Sequence, residues 1–211
     1  MKITAIKSQK RDEERVSVFV DGKYSFSLTI SQLLENKVKQ GQEIDEGELT
    51  FFRKLSNEGK IRFRAMAWVM SRPRSVKELR DYLKKTSFRV KIKGQNFGED
   101  FIANLIEDFI ARGWVSDQYF AEWWIGRSSR QNSSRLQIIN ELRSKGIEKS
   151  IIDEVLKSRN EADSLRNLVE RLKNKSKYQD QMKLKRYLAS KGYGYSSIEE
   201  VLAEGNEENA G

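Results

Sequence analysis

Hydrophobic positions alternate with other residues along the first part of the chain. Apolar residues recur at every second position from Val16 to Val20 and again from Tyr24 to Leu28. The pair between these runs, Asp21-Gly22, favours the two-residue turn of a β-hairpin. Because a lone hairpin is marginally stable in water, a third strand at residues 3–6 and a short helix near residues 31–39 are expected to complete a small module.

The apolar pattern takes a helical period beyond Asp45. Residues 48–70 are compatible with one long helix or with two, because Gly59 lies in the middle. A break with the chain's one proline follows. Ser75 then precedes Glu78 by three residues, which is the pattern of a capping box and predicts another amphipathic helix.

The second half of the chain contains an internal repeat. Residues 134–156 and 181–202 align without a gap when Lys145-Gly146 is placed on Lys191-Gly192. Glycine favours the left-handed conformation that follows a helix, and lysine suits the negative C-terminal end of a helix. Each copy therefore predicts an amphipathic helix that stops at the Lys-Gly pair, followed by a second short helix.

The predicted fold class is mainly α, with three tandem three-helix repeats in an elongated, bent array and a small N-terminal β-hairpin or sheet module before them. Each repeat is too small to bury its apolar face alone and is expected to pack against its neighbours. The predicted boundaries are 1–47 for the β-containing module, 48–113 for repeat 1 with a lead-in helix, 114–158 for repeat 2, 159–203 for repeat 3 and 204–211 for a disordered acidic tail.

The composition excludes several kinds of chemistry. The chain has no cysteine and no histidine. Disulfides, thiolate chemistry, Cys/His zinc sites and histidine-based triads are therefore ruled out. The N-terminus lacks the apolar core of a signal peptide, and no apolar run approaches the roughly 18 residues that a membrane helix needs. A cytoplasmic protein without membrane contact is expected.

The sequence predicts no catalytic site. It contains neither a GxxxxGK[ST] loop nor a GxGxxG motif after a strand. Acidic pairs at Glu107-Asp108 and Glu199-Glu200 could hold a magnesium ion, but adjacent helix positions diverge, so solvated surface is the preferred interpretation. We therefore expect no enzyme activity, no metal site and no cofactor.

Positive charge dominates the chain and is unevenly distributed. The formal net charge is +9, and residues 60–93 contain twelve Lys or Arg against two acids, whereas residues 99–122 contain six acids against Arg112. Basic runs recur at residues 127–145 and 173–191, so a surface that follows a nucleic-acid backbone is preferred over an ordinary solvated surface. The candidate nucleic-acid or filament-binding residues are Arg62, Arg64, Arg72, Arg74, Arg80, Lys84, Lys85, Arg89, Lys91, Lys93, Arg127, Arg130, Arg135, Arg143, Lys145, Lys183, Lys185, Arg186 and Lys191.

Aromatic residues are a second group of candidates, because aromatic rings can stack on bases. Trp123 and Trp124 lie in a very apolar helix, so core packing is the better interpretation for both. Tyr193 and Tyr195 lie in a glycine-flanked turn and are expected to be exposed. The full set is Trp114, Trp123, Trp124, Tyr187, Tyr193 and Tyr195.

Several short segments follow one another in order across residues 60–203. They are Arg74–Leu79 with Tyr82-Leu83, Ile106–Trp114, Asp117–Ala121, Trp124–Arg127, Glu141–Ile147 and Arg186–Gly192. This ordered set resembles the RecX family, the bacterial modulators of RecA recombinase. Two features depart from the family pattern: Gln131–Ser134 stands where a glycine usually precedes the middle helix of the second repeat, and the loop at 87–98 is longer than usual.

The resemblance implies a regulator that lies in the groove of the RecA–DNA filament and inhibits RecA ATPase activity, strand exchange and filament growth. It implies the RecA filament and single-stranded DNA as partners, with double-stranded DNA as a further candidate, and a role in recombination, DNA repair and the SOS response. A monomer is expected.

Two other functions stay open at this point. One is a helical repeat protein that binds nucleic acid without sequence preference and without a recombinase partner. The other is a nuclease that uses an acidic pair and a metal ion. A RecA ATPase assay on single-stranded DNA separates the filament regulator from both.

Overall fold

The computed structural model describes residues 1–9, 12–89, 97–127 and 130–207. The strands are β1 (Ile3–Gln9), β2 (Asp12–Val20) and β3 (Lys23–Thr29). The helices are α1 (Ile30–Glu35), α2 (Glu46–Met70), α3 (Val76–Arg89), α4 (Glu99–Ala111), α5 (Asp117–Gly126), α6 (Arg135–Ser144), α7 (Lys149–Val155), α8 (Glu161–Lys173), α9 (Gln181–Ser190) and α10 (Tyr195–Glu207).

The chain folds into two compact units. The N-terminal unit comprises Met1–Arg72 and Leu79–Asp108, and the C-terminal unit comprises Pro73–Glu78 and the chain from Phe109 onward. The first turn of α3 therefore belongs to the C-terminal unit. This division matters below, because the start of α3 takes part in the packing of the helical repeats.

The three strands form an antiparallel sheet in the order β1-β2-β3. Asp21 and Gly22 both have positive φ, at 48° and 79°, as a type I′ hairpin turn requires. The predicted hairpin and its third strand are thus confirmed. One face of the sheet is buried against the first half of α2, and its core residues are Ile3, Val16, Val18, Val20, Phe26, Leu28, Val38, Ile44, Leu49 and Phe52.

Helix α2 is a single helix, so Gly59 does not divide it. Asp45 caps its start by accepting a hydrogen bond from the Glu48 amide at 2.7 Å. Gly59 is buried, and a Cβ there would come within 3.2 Å of the Arg15 guanidinium. The glycine is therefore explained by the close approach of Arg15 and not by a helix break. The expected boundary after residue 47 falls inside α2, since the helix begins at Glu46.

The helices of the second half form tandem three-helix groups, as the repeat predicts. Helices α5, α6 and α7 share one buried core, in which Phe120 and Ile138 are fully enclosed. Helices α8, α9 and α10 share another, around Leu165 and Leu188. Helix α10 extends to Glu207, into the segment expected to be a disordered tail, and residues 208–211 lie outside the described residues. Within the described ranges, none of the helices is both long and apolar enough to cross a membrane.

Candidate nucleic-acid interface and the repeat junctions

The start of α3 is joined to the second repeat by hydrogen bonds from Ser75. The Ser75 hydroxyl accepts a bond from the Glu78 amide at 3.1 Å, which caps the helix, and donates to the carbonyl oxygen of Lys145 at 2.8 Å. The next amide, that of Val76, donates to Oδ1 of Asp117 at 2.8 Å. Burial raises the pKa of the Asp117 carboxyl, and the bond from Val76 opposes that effect.

The same set of contacts joins the second repeat to the third. The Ser134 hydroxyl accepts from the Gln137 amide at 3.1 Å and donates to the carbonyl oxygen of Lys191 at 2.7 Å. The amide of Arg135 donates to Oε1 of Glu161 at 2.8 Å. Asp117 and Glu161 are each the first residue of the following helix, α5 or α8. We call these two sets of contacts the first and second repeat junctions.

The glycines of the two Lys-Gly pairs serve both the helix end and the junction. Gly146 and Gly192 have φ of 80° and 88°, the left-handed conformation of a helix C-terminus. A Cβ on Gly146 would lie 2.7 Å from Cβ of Lys77, and one on Gly192 would lie 2.8 Å from the Ser134 hydroxyl. Because Lys77 and Ser134 belong to the preceding repeats, these glycines also allow the repeats to approach.

The third repeat carries a different residue where the earlier repeats have the capping serine. Asp180 caps α9, and its carboxylate accepts bonds from the amides of Met182 at 2.9 Å and Lys183 at 3.3 Å. The bond from the Lys183 amide is the largest cause of a lowered pKa for Asp180. The carboxyl is therefore ionised at neutral pH and has no proton to donate.

The two junctions differ in their outer contacts. In the first, Lys145 forms an ion pair with Glu78 at 2.9 Å, and Lys77 donates to the carbonyl oxygen of Ser144 at 2.8 Å. In the second, the position equivalent to Lys77 is Leu136, which lines an open groove of about 480 Å³ with Lys191. Ion pairing thus supports the first junction, and the second leaves space beside it.

Trp124 is surrounded by cations from the candidate list. Arg130, Lys145 and Arg127 lie over its ring at 4.9, 5.5 and 5.6 Å from the centroid. The indole Nε1 donates to Glu141 at 2.9 Å, and Arg130 forms an ion pair with the same carboxylate. Trp124 is buried, which confirms its interpretation as a core residue. Arg130 and Lys145 therefore have structural roles.

Several other predicted cations are also engaged within the protein. The pairs are Arg62 with Asp108, Lys84 with Glu99 at 4.0 Å, Lys183 with Asp180 at 3.6 Å and Lys185 with Glu199 at 3.2 Å, and Arg135 donates to the carbonyl oxygen of Leu156 at 3.1 Å. A bound phosphate would have to compete with these partners.

A second group of predicted cations is exposed and forms no ion pair within the described ranges. Five candidates are not assigned to this group: Arg72 and Arg74 are half-buried, and the side chains of Arg89, Lys91 and Lys93 lie outside the described residues. The exposed and unpaired group, called the open cations below, consists of Arg64, Arg80, Lys85, Arg127, Arg143, Arg186 and Lys191.

The expectation that Tyr193 is exposed is wrong, whereas Tyr195 is exposed as predicted. Tyr193 is 3% exposed to solvent, and Tyr195 is 65% exposed. Tyr193 follows the left-handed Gly192, and its amide donates back to Leu188 at 3.3 Å, which turns its side chain into the third repeat core. Its hydroxyl is buried and has no hydrogen-bond partner among the described residues, and burial raises its pKa to about 12.

Arg159 is a structural residue that the charge pattern did not single out. Its Nη2 donates to the carbonyl oxygens of Arg130 at 2.9 Å, Gln131 at 3.1 Å and Ser133 at 2.9 Å. It thereby ties the connection before α6 to the connection before α8. A lone arginine in a linker carries no periodic signal, so sequence patterns could not identify this role.

Across residues 1–9, 12–89, 97–127 and 130–207, no three acidic side chains group closely enough to hold a metal ion.

Comparison with known families matches three segments of the chain. Residues 1–45 match the model described as Regulatory protein RecX N-terminal domain. Residues 116–156 match RecX, second three-helix domain, and residues 161–202 match RecX, third three-helix domain. The matched helical segments contain α5 to α7 and α8 to α10, up to Leu202.

Two solved structures share the fold. A crystal structure of regulatory protein RecX superposes with a TM-score of 0.70 at 22% identity, covering 96% of this chain and 98% of that one. RecX from Lactobacillus salivarius gives 0.56 at 23% identity, covering 70% and 95%.

Sequence relatives extend over nearly the whole chain. Regulatory protein RecX of Bacillus pumilus (strain SAFR-032) is 30% identical over 210 residues, which cover 96% of this chain and 76% of the relative. Regulatory protein RecX of Clostridium acetobutylicum is 30% identical over 218 residues, covering 98% and 97%. This chain therefore belongs to the RecX family of regulatory proteins.

Proposed function

We propose that this protein binds the RecA–DNA filament and inhibits RecA ATPase activity, strand exchange and filament growth, as a monomer in the cytoplasm. Membership of the RecX family supports the regulatory role. The positive net charge of +9 supports a partner that presents phosphates. The regulation is proposed to act through binding and not through a reaction catalysed by this chain.

The observation that carries the proposal is the division of the cations into two groups. Lys145 and Arg130 are held by carboxylates and by Trp124, so they stabilise the repeats. Arg143 and Arg186 are exposed and form no ion pair in the described part of the chain. Phosphates can bind such cations without displacing a carboxylate, and binding there leaves the repeat junctions intact.

A RecA ATPase assay on single-stranded DNA tests the proposal. The protein should slow ATP hydrolysis at ratios well below those that coat the free DNA. Contacts to DNA and to filament protein are held in one molecule, so binding at one raises the effective concentration at the other. Inhibition that requires full coating of the DNA would contradict the proposal.

A helical repeat protein that only binds DNA is the competing function. Under that function, inhibition should fall in strict proportion to DNA affinity when the open cations are replaced. Under the proposed function, some variants should lose inhibition more than they lose affinity for bare DNA. Arg143→Ala, Arg186→Ala and their combination give a series in which both quantities can be measured.

A further inference from the structure

A cavity of about 320 Å³ opens between β3 and α2 in the N-terminal unit. Its α2 residues lie at positions 53, 56, 57 and 60, which share one face of a helix. The lining residues are Tyr24, Ser25, Phe26, Arg53, Ser56, Asn57 and Lys60. None of these residues is among the candidate binding residues named from the sequence.

The charges that line the cavity are both positive. Arg53 and Lys60 contribute them, and the lining contains no carboxylate. Neither cation forms an ion pair among the residues the structure describes, whereas their neighbour Lys54 lies 3.9 Å from Glu58. The cavity therefore offers unneutralised positive charge, which favours an anionic ligand.

The Arg53 guanidinium contacts one polar group of the cavity. Its Nη2 donates to the Ser25 hydroxyl at 3.3 Å, and the side-chain amide of Asn57 donates to the main-chain carbonyl oxygen of Arg53 at 2.6 Å. A guanidinium has five N–H donors, so most of them stay available after the bond to Ser25. Such a planar donor group matches two oxygens of a phosphate.

An aromatic ring lies at the rim of the same cavity. Tyr24 is 53% exposed, and its ring meets Phe19 edge to face at a centroid distance of 6.1 Å. Phe19 is in turn covered by the ammonium of Lys7, 5.2 Å from the ring centroid. Tyr24 is thus an exposed ring with a fixed support, beside two cations. Aromatic rings next to phosphate-binding cations are the arrangement that binds single-stranded nucleic acid.

We propose that this cavity binds a phosphate of single-stranded DNA through Arg53 and Lys60, with the adjoining base stacked on Tyr24. The inference rests on the proposed DNA-binding function and extends it to the β-containing module, to which the sequence assigned no role. Single-stranded DNA is the favoured ligand because its bases can leave the stack and meet a side-chain ring, whereas bases of a duplex stay stacked on one another.

The test measures binding of fluorescent oligothymidine and of an abasic oligonucleotide of equal length by anisotropy across a salt series. R53A/K60A should raise the Kd for both on the order of tenfold near 0.1 M salt and reduce the salt slope by about 0.7, since both side chains bind one phosphate and each single-strand phosphate contact contributes about 0.7. The matched control is K39A/K54A, which removes two exposed lysines of the same unit outside the cavity.

The stacking step has its own variants. Y24A should weaken oligothymidine binding about fivefold or more, as expected from about 1 kcal/mol or more per stacked base, and leave abasic binding unchanged. Y24F keeps the ring and should bind like the natural protein. Circular dichroism of each variant should retain the helical signal, because Tyr24 and Arg53 are exposed.

Three outcomes would overturn the assignment. The first is an equal loss of affinity in R53A/K60A and K39A/K54A, which would indicate a long-range charge effect. The second is an equal effect of Y24A on both oligonucleotides. The third is a thymidine monophosphate affinity equal to that of the oligonucleotide, which would indicate a free nucleotide as ligand. If any one of these outcomes occurs while R143A/R186A still loses DNA affinity, the cavity assignment fails and the proposed function stands.

Discussion

The hydroxyl of Ser134 and the carbonyl oxygen of Lys191 are 2.7 Å apart, and the hydroxyl donates the hydrogen bond. The same oxygen of Ser134 caps α6 by accepting from the amide three residues later. One side-chain atom therefore fixes the start of a helix and the docking of the next repeat. The formation of α6 and the packing of the third repeat are coupled through this atom.

Ser134→Ala is expected to lower the free energy of unfolding by about 2 kcal/mol, because it removes a helix cap of about 1 kcal/mol and a partly buried hydrogen bond of about 1 kcal/mol. Urea unfolding followed by circular dichroism measures the change. Ser144→Ala is the control, because Ser144 is exposed and donates only to a carbonyl of its own helix. A loss below about 0.5 kcal/mol in Ser134→Ala, the range of ordinary surface changes, would contradict the junction role.

Two helix-end glycines, only one of which lies at a repeat junction, allow conformational strain to be separated from contact. Gly113 and Gly192 both have positive φ, at 69° and 88°, but a Cβ on Gly113 would meet no atom of the described residues within 4 Å. Gly113→Ala should cost about 1–2 kcal/mol for the left-handed conformation alone. Gly192→Ala should cost clearly more in a thermal or urea melt, because its Cβ would lie 2.8 Å from the Ser134 hydroxyl. Equal losses would mean that the repeats tolerate a side chain there.

Tyr193→Phe is expected to stabilise the protein at pH 7 by about 1 kcal/mol, because it removes a buried hydroxyl to which no described residue is hydrogen-bonded. The pKa of Tyr193 is raised from 10.0 to about 12 by burial. The unfolded chain therefore loses this proton first as the pH rises, and the natural protein loses stability between pH 10 and 12. The Phe variant lacks this loss, so its advantage should grow by up to about 2.7 kcal/mol above pH 12.

Urea titrations at pH 7 and pH 11 measure the difference in stability between the natural protein and Tyr193→Phe. The contributions of other groups that titrate in alkali are the same in both proteins and cancel in this difference. Tyr195→Phe is the control, because the Tyr195 side chain is exposed. A constant difference between the natural protein and Tyr193→Phe at the two pH values would show that the hydroxyl is not held protonated by the fold.

R143A/R186A is expected to weaken binding to single-stranded DNA and to reduce the salt slope by about 1.4, with little change in stability. Lys145→Ala should mainly affect stability. It removes the 2.9 Å ion pair with Glu78 and should lower the free energy of unfolding, with a smaller effect on the free energy of DNA binding. Anisotropy and urea unfolding on the same samples separate the two effects. Similar behaviour of both variants would contradict the division of the cations.

The elements with local signals were predictable from the sequence. Asp21-Gly22 identified the hairpin turn because few dipeptides accept positive φ at both positions. Lys145-Gly146 and Lys191-Gly192 identified two helix ends and the repeat, because the conformation at a helix C-terminus depends on one residue. The mainly helical fold with its N-terminal sheet followed from these signals.

The outcomes that depend on distant residues were not predictable. Gly59 suggested a helix break, but its small size serves the approach of Arg15 from the sheet. Tyr193 was expected at the surface because the glycines beside it suggested a loop, but the turn directs its side chain into the core. Which cations are engaged depends on partners such as Glu78, 67 residues before Lys145 in the chain. Composition counts these charges without showing which of them are already paired.

Asp180 cannot make the contact by which the two capping serines join successive repeats. Ser75 and Ser134 can accept and donate at once, so each offers a proton to the repeat that follows. Asp180, at the matching place in the third repeat, is ionised and can only accept. A repeat docked on the start of α9 in the same way would bring a carbonyl oxygen against this carboxylate, and two acceptors repel. The junction contact therefore has a direction, and Asp180 disfavours at the start of α9 the contact that the two serines make.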